Sequence, residues 1–199
     1  YRGDWQVIIL PSDDLVDVPS AENTSDTMVK AGLNYTVALR SDGTVWTWGG
    51  AINYEDPVEV AIPFAQDEHI IKIDVNTTST YVVALSNLNK VYTWGVDPKD
   101  VKAVELNGEK VTDIAVGGSQ SLALLESGKV YIWTNGAEKN ISFVPALTGL
   151  EGDLTHISAI AAGQQHFLAL REDALVLAWG ANGNGQLGDG TNQNRGTPV

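Results

Sequence analysis

Four times in this chain an Ala-Leu pair is followed, nine residues after the Leu, by a Trp. The pairs are Leu39 and Trp48, Leu85 and Trp94, Leu124 and Trp133, Leu170 and Trp179. Successive Trp residues lie 46, 39 and 46 positions apart. A recurrence of this length marks a stack of similar units, each unable to bury its own faces without a neighbour. No stretch carries an amphipathic helical period, so the units are read as sheets.

Each unit is a hairpin. Ser41-Asp42-Gly43 and Glu126-Ser127-Gly128 put Gly where the turn needs a left-handed residue, and Asn89 stands there in the second unit. The fourth unit has Ala174 at this place, which predicts a longer or distorted turn over Glu172–Ala174. In the second strand of each hairpin Val45, Val91, Val130 and Val176 share one face. Trp46 and Trp48, Tyr92 and Trp94, Tyr131 and Trp133, and Leu177 and Trp179 share the other. Two apolar faces imply sheets covered on both sides, as in the blades of a β-propeller. The small residues Ala38, Ala84, Ala123 and Ala169 suit close approach of adjacent blades.

Two further apolar runs precede the later hairpins. One set is Ile70–Val75, Val111–Val116 and Ile157–Ala162; the other is Val58–Ile62, Val101–Leu106 and Phe143–Leu147. The expected fold is therefore all-β, a propeller of four-stranded antiparallel blades with about four blades, a partial or atypical ring. Residues 28–199 hold the four repeats, the last running into an incomplete further blade. Residues 1–27 hold one strand, Trp5–Leu10, and an acidic linker. Hydrophobic residues make up 43% of the chain, enough to fill such a core. An open arc would leave an apolar face at each end, so either more blades from a longer parent chain or end-to-end association is expected.

Charge narrows the partners. With 12 Lys and Arg against 25 Asp and Glu the net charge is −13, which argues against nucleic acid and anionic membranes and allows a cationic partner. Cysteine is absent, so disulfides and thiolate chemistry are excluded. No signal peptide, transit peptide or membrane span is read, and a first residue other than Met suggests a processed or excised start. A Cys-free, acidic, Asn/Thr/Ser-rich β chain favours an extracellular or cell-surface setting over a cytoplasmic one.

The fourth unit is the most specific. Gly163-x-x-His166-x-Leu-Ala-Leu170, then Trp179-Gly180-x-Asn182-x-x-Gly185-Gln186-Leu187-Gly188-x-Gly190 and Pro198-Val199 resemble the regulator of chromosome condensation repeat. The first three units share the hairpin but lack the Gly-Gln-Leu-Gly loop; the second has Thr78 for the leading Gly, and the third Thr134 for the Gly after Trp. The resemblance covers roughly residues 28 to 199. It implies a propeller, usually of seven four-stranded blades, with His166 structural.

Other motifs weigh less. Gly183-Asn-Gly185-Gln-Leu-Gly188 spells a dinucleotide fingerprint, but a loop follows it, not a helix. Asn182, Asn184 and Asp189 supply oxygens for calcium without the EF-hand spacing. Ser41-Asp42-Gly43-Thr-Val-Trp46 is similar to the Asp-box of sialidase propellers, yet the arginines that would hold a sugar carboxylate are not clustered. Gly117-Gly-Ser119-Gln-Ser121 fails as a nucleophile elbow. Arg2-Gly3-Asp4 spells an adhesion tripeptide. Asn23, Asn34, Asn76 and Asn140 begin glycosylation sequons. No catalytic, metal or cofactor site is expected.

The tryptophans Trp48, Trp94, Trp133 and Trp179 are assigned to the core with Leu39, Leu85, Leu124, Leu170 and His166. The expected function is a non-catalytic scaffold that binds a protein partner of unknown identity. The candidate surface is the acidic N-terminal segment with the loops after each Trp, namely 50–55, 96–100, 135–140 and 181–194. Within them Asn53, Tyr54, Glu55, Asp97, Lys99, Asp100, Glu138, Lys139, Asn182, Asn184 and Asp189 are singled out. The resemblance permits a second reading, nucleotide exchange on a small GTPase. A third is an extracellular adhesive or carbohydrate-binding module.

Overall fold

The computed structural model describes residues 27–106, 108–137, 139–144 and 154–199. Four antiparallel sheets follow the four repeats. Blade 1 is β1 (Met28–Ala31), β2 (Thr36–Leu39), β3 (Val45–Gly49) and β4 (Tyr54–Glu59). Blade 2 is β5 (Ile70–Val75), β6 (Val82–Ser86), β7 (Val91–Trp94) and β8 (Lys102–Val104). Blade 3 is β9 (Val111–Val116), β10 (Gln120–Leu125), β11 (Val130–Thr134) and β12 (Ile141–Phe143). Blade 4 is β13 (Ile157–Ala162), β14 (His166–Arg171) and β15 (Val176–Gly180). Strand order within each sheet is sequential. The first strands β1, β5, β9 and β13 lie against one another from blade to blade. They form the inner edge of the arc, and the fold is a β-propeller of stacked four-stranded blades.

The last residues correct one expectation. Instead of starting a further blade, they return along β15: Arg195 and Gly180 exchange backbone hydrogen bonds of 2.9 and 2.7 Å, and Val199 and Ala178 bond at 3.0 Å both ways. The tail thus takes the outer-edge place in blade 4 that β4, β8 and β12 take in the others. A single 3₁₀ turn, Gly50–Ile52, precedes β4, which begins at Tyr54, earlier than the apolar run suggests. Pro57 is tolerated there because β4 is an edge strand.

The central turns explain why the hairpins form. Arg40, Ser86, Leu125 and Arg171 each donate their amide to the carbonyl four residues on, and accept from the amide three on. The residue at the third place is left-handed in every case: Gly43 at φ 82°, Asn89 at 62°, Gly128 at 73° and Ala174 at 68°. The turn at Glu172–Ala174 is therefore neither longer nor distorted, contrary to the sequence expectation. Asp173 holds it, chelating the Arg171 guanidinium at 2.9 and 2.6 Å and accepting the Leu175 amide at 3.3 Å. Those bonds offset the roughly 1 kcal/mol cost of a left-handed Ala. Gly is required elsewhere for a second reason. A Cβ on Gly43 would lie 2.4 Å from the His69 Cβ, and one on Gly128 would lie 2.9 Å from the His156 amide. Both histidines belong to the connection that enters the next blade.

Packing between blades has a direction. Val37, Leu39 and Val45 of blade 1 meet Val82, Ala84, Tyr92 and Trp94 of blade 2. Val83, Leu85 and Val91 of blade 2 meet Ala123, Tyr131 and Trp133 of blade 3. Leu122, Leu124 and Val130 of blade 3 meet Phe167, Ala169, Leu177 and Trp179 of blade 4. Each blade presents its Trp and Ala to the blade before it and its Leu and Val to the blade after. Leu39, Leu85, Leu124, Trp94, Trp133 and Trp179 are buried as a result.

The end blades depart from the core assignment for the same reason. Trp48 faces away from blade 2 and is only half-buried, and His166 is half-buried. Leu170 is 39% exposed, because no described blade covers its face of blade 4.

Candidate functional site

Strand alternation sends all four post-Trp loops to one face of the arc. They join the loops between the first and second strands of the same blade. The Ala51 amide donates to Asn34, Asn135 to Ser119 and Ala181 to Gln165, at 3.2, 3.0 and 2.7 Å. The hairpin turns and the blade-to-blade connections occupy the opposite face, where Asn87 bonds His69, Glu126 bonds Lys110 and Glu172 bonds His156.

A chain of bonds ties this loop face together across the blades. The Tyr35 hydroxyl donates to the Asn76 and Tyr81 carbonyls at 3.0 and 3.2 Å. Asn76 Nδ2 donates to the Gly117 and Gly118 carbonyls at 2.8 and 2.7 Å. The Trp133 indole donates to the Tyr81 hydroxyl at 3.1 Å, and the Gly118 amide to the Gln164 carbonyl at 2.8 Å. Burial, then the nearby Asp74 charge, push the Tyr35 phenol pKa up, so it stays a neutral donor.

Asn76 is a residue whose role the sequence pattern concealed. Its amide bonds the carbonyl of Tyr81, five residues on, where Gly32, Gly117 and Gly163 bond the carbonyl three on. Asn76, not Thr78, thus stands in the leading-glycine place, with a longer loop behind it. Its side chain is buried and its Oδ1 accepts from Thr78 and Ser79. That removes its sequon from use. Asn34 and Asn140 are exposed; Asn23 lies outside the described residues.

The singled-out loop residues divide into two groups. Asn53, Asp97, Lys99, Asp100, Lys139 and Asn184 are exposed on this face. Tyr54 and Glu55 belong to β4 rather than a loop, with Glu55 exposed and Tyr54 half-buried. Asn182 is buried: its Oδ1 accepts the Leu187 amide at 2.9 Å and its Nδ2 donates to Asp189 and the Thr191 carbonyl. Asp189 bonds Thr191 and the Arg195 guanidinium, and these hold its carboxyl well below the usual range. Their oxygens are committed to the loop's own fold, which corrects their assignment to a partner surface and leaves no calcium cradle. No helix follows the Gly-rich loop, so a dinucleotide turn is absent too. Glu138, Arg2-Gly3-Asp4 and the acidic N-terminal segment lie outside the described residues.

Between the loops of blades 2 and 3 a cavity of about 340 Å³ opens, lined by Tyr81, Trp94, Val96, Asp97, Asp100 and Gly136 among others. On the opposite face Asp42 closes its turn through the Thr44 amide and hydroxyl, with the Trp46 indole on the same hydroxyl. The Asp-box likeness is thereby a turn lock. Among the described residues no three His, Asp or Glu are gathered for a metal, and no helix is long and apolar enough to cross a membrane.

The sequence model of the Regulator of chromosome condensation (RCC1) repeat matches residues 29–54 and 157–186, in blades 1 and 4. Blades 1 and 4 thus carry this family's repeat. It is 28% identical over 222 residues to the RCC1 domain-containing protein RUG3, mitochondrial, of Arabidopsis thaliana, covering 91% of this chain and 48% of that protein. It is 30% identical over 202 residues to the ultraviolet-B receptor UVR8 of the same plant, covering 86% and 45%. Among solved structures, Prp20p of Saccharomyces cerevisiae superposes with a TM-score of 0.67 at 22% identity, over 86% of this chain and 49% of that one. The chain thus spans about half the length of these relatives. The expected extracellular or cell-surface setting is overturned by the relative RUG3, which is mitochondrial.

Proposed function

We propose that residues 28–199 form a non-catalytic interaction scaffold whose post-Trp loop face binds a protein partner. The observation that carries this reading is the bonded chain Tyr35–Asn76–Gly117–Gly118–Gln164, which fixes loops from four blades as one platform. A rigid scaffold that presents exposed loops is a common basis for recognition. The partner's matching surface is more basic than acidic, since Glu55, Asp97 and Asp100 stand exposed on this side against Lys99 and Lys139. The relatives support an interaction role: Prp20p binds Gsp1p and histones.

The test is a charge reversal on each face. Partners captured by the native chain are identified by cross-linking, then measured against the E55K/D97K/D100K variant. Binding weakens about 10-fold and loses most of its salt dependence. An E105K/E109K control on the opposite face leaves it unchanged. Equal loss on both faces overturns the assignment of the face. The exchange reading is decided by release of labelled GDP from a small GTPase; accelerated release overturns the scaffold reading.

A further inference from the structure

We propose that the cavity between the loops of blades 2 and 3 receives an arginine side chain of the protein partner. The inference rests on the loop-face reading and names the group that this face takes. The cavity encloses about 340 Å³, within the range of about 300–1,000 Å³ for ligand pockets, and is wide enough for one long side chain. Tyr81, Trp94 and Val96 line it, and Val96 is 48% exposed. The Trp133 indole pins the Tyr81 hydroxyl at 3.1 Å. Blade 3 contributes Gly136, left-handed at φ 83°, where an added Cβ would meet nothing within 4 Å. That side of the cavity is therefore open.

Asp97 and Asp100 complete the lining and are exposed. Their turn is held in place by the chain's own bonds. Asp97 Oδ1 accepts the Lys99 amide at 2.9 Å, and the Asp97 carbonyl accepts the Asp100 amide at 3.1 Å. The Pro98 carbonyl accepts the Ala61 amide at 3.1 Å. Apolar surface beside two fixed carboxylates matches a hydrocarbon stem that ends in a cation. Lys102, also in the lining, lies 3.5 Å from Asp100 Oδ2, with both groups more than half exposed. Such a pair contributes little and yields to a better-matched cation.

Blade 4 shows which cation fits. There the loop after Trp179 supplies its own: Arg195 holds Asp189 Oδ2 through Nε at 2.7 Å and Nη2 at 2.6 Å. The same loop turns its own Leu187 inward, 8% exposed. The loop of blade 2, residues 95–101, has the two aspartates, no arginine, and an outward Val96. It offers the acceptor half of the blade 4 arrangement without the donor. A planar guanidinium spans two carboxylates on one turn, which the point charge of an ammonium does less well.

The probe is N-acetyl-arginine methylamide, titrated into the chain of residues 1–199 and followed by the NMR signals of Trp94, Val96 and Gly136. The expected dissociation constant is on the order of 1 mM. The citrulline analogue, which keeps the shape without the charge, binds about 10-fold more weakly, and the lysine analogue about 3-fold more weakly. D97N/D100N, which keeps an acceptor for the Lys99 amide, weakens the arginine probe about 10-fold. K102Q removes the competing cation and tightens binding about 3-fold, while K110Q on the opposite face changes nothing. Signals that do not move at tens of millimolar probe overturn the proposal. Equal binding of the citrulline or lysine analogue overturns it too, as does a K102Q effect no larger than that of K110Q. The partner is absent from this titration, so a silent cavity leaves the loop face to its own charge-reversal test. Probe binding together with undiminished partner capture by E55K/D97K/D100K overturns the loop-face reading itself, and with it the partner as the source of the arginine.

Discussion

Glu68 gives a sharp test of how the blades are joined. It sits in the connection from blade 1 to blade 2 with its side chain fully buried. Its Oε2 accepts from the Ala65 amide and the Lys90 ammonium, both at 2.8 Å, and its Oε1 from the Tyr92 hydroxyl at 2.9 Å. Burial pushes its pKa up. The Lys90 contact and then the Ala65, Ser86 and Tyr92 hydrogen bonds outweigh that and bring it from 4.5 to about 2. A drop of that size corresponds to about 3 kcal/mol. The folded value lies below the unfolded one, so this stability is present in full above pH 4.5 and is lost as pH falls toward 2. Roughly 2 kcal/mol of it is gone by about pH 3. Glu68→Gln keeps the shape and two acceptor contacts but has no charge to lose. Urea unfolding of both chains at about pH 7 and pH 3 is expected to show the variant about 2–3 kcal/mol weaker at the higher pH. The gap closes to about 1 kcal/mol at the lower pH. A gap that does not change with pH would refute the charge argument and leave only packing.

Trp133→Ala removes an indole held between blades 2 and 3 and is expected to cost about 3–5 kcal/mol, while Trp46→Ala at the open end costs far less; thermal unfolding distinguishes them. Ala174→Gly relieves a left-handed alanine and stabilises by about 1 kcal/mol, whereas Gly128→Ala destabilises by more than that, since its Cβ meets the His156 backbone. Asn76→Asp turns two donated bonds into a carboxylate facing two carbonyls and costs about 3 kcal/mol in denaturant titration. Millimolar calcium is expected to leave the melting temperature unchanged, because the Asp189 oxygens already accept from Asn182, Thr191 and Arg195.

The blade stack was legible because its cause is local and repeats. The Leu-to-Trp offset, the turn residues Gly43, Asn89 and Gly128, and the alternation of Val with Trp each recur. What sequence did not show is what happens where the repetition stops. Leu170 and Trp48 carry the same letters as their buried counterparts, yet exposure depends on a neighbour that no described blade supplies to them. Ala174 broke the turn pattern in letters alone, since Asp173 and Arg171 supply the bonds that hold the same left-handed turn. Asn76 was hidden by two extra residues that shifted the alignment onto Thr78. Asn182 and Asp189 have the composition of a ligand set, and only their bonds show that the loop consumes them.

Charge explains which face is left to recognise something. Most of the described cations of this acidic chain are engaged by its own acidic or aromatic side chains, while Lys99 and Lys139 stand exposed on the loop face. Lys30 binds Asp74 and Lys72 binds Asp113 along the inner strands; Lys90 binds Glu68; Lys110 binds Glu126; Arg171 and Arg195 hold their own loops. Lys129 lies over the Phe143 ring. Neutralising inner-strand carboxylates is necessary, because strands crowded at a propeller axis would otherwise set like charges against one another. The acids left over collect at the rims. On the loop face Asp100 has Lys102 at 3.5 Å, both exposed, and such a pair contributes little. On the proposed reading, an excess of weakly compensated carboxylates on a rigid rim would steer a basic partner at a distance and do little for the stability of the fold. Raising ionic strength is therefore expected to slow association with that partner while leaving the unfolding midpoint nearly unmoved. A midpoint that fell in parallel with the association rate would mean that the rim charges belong to the fold after all.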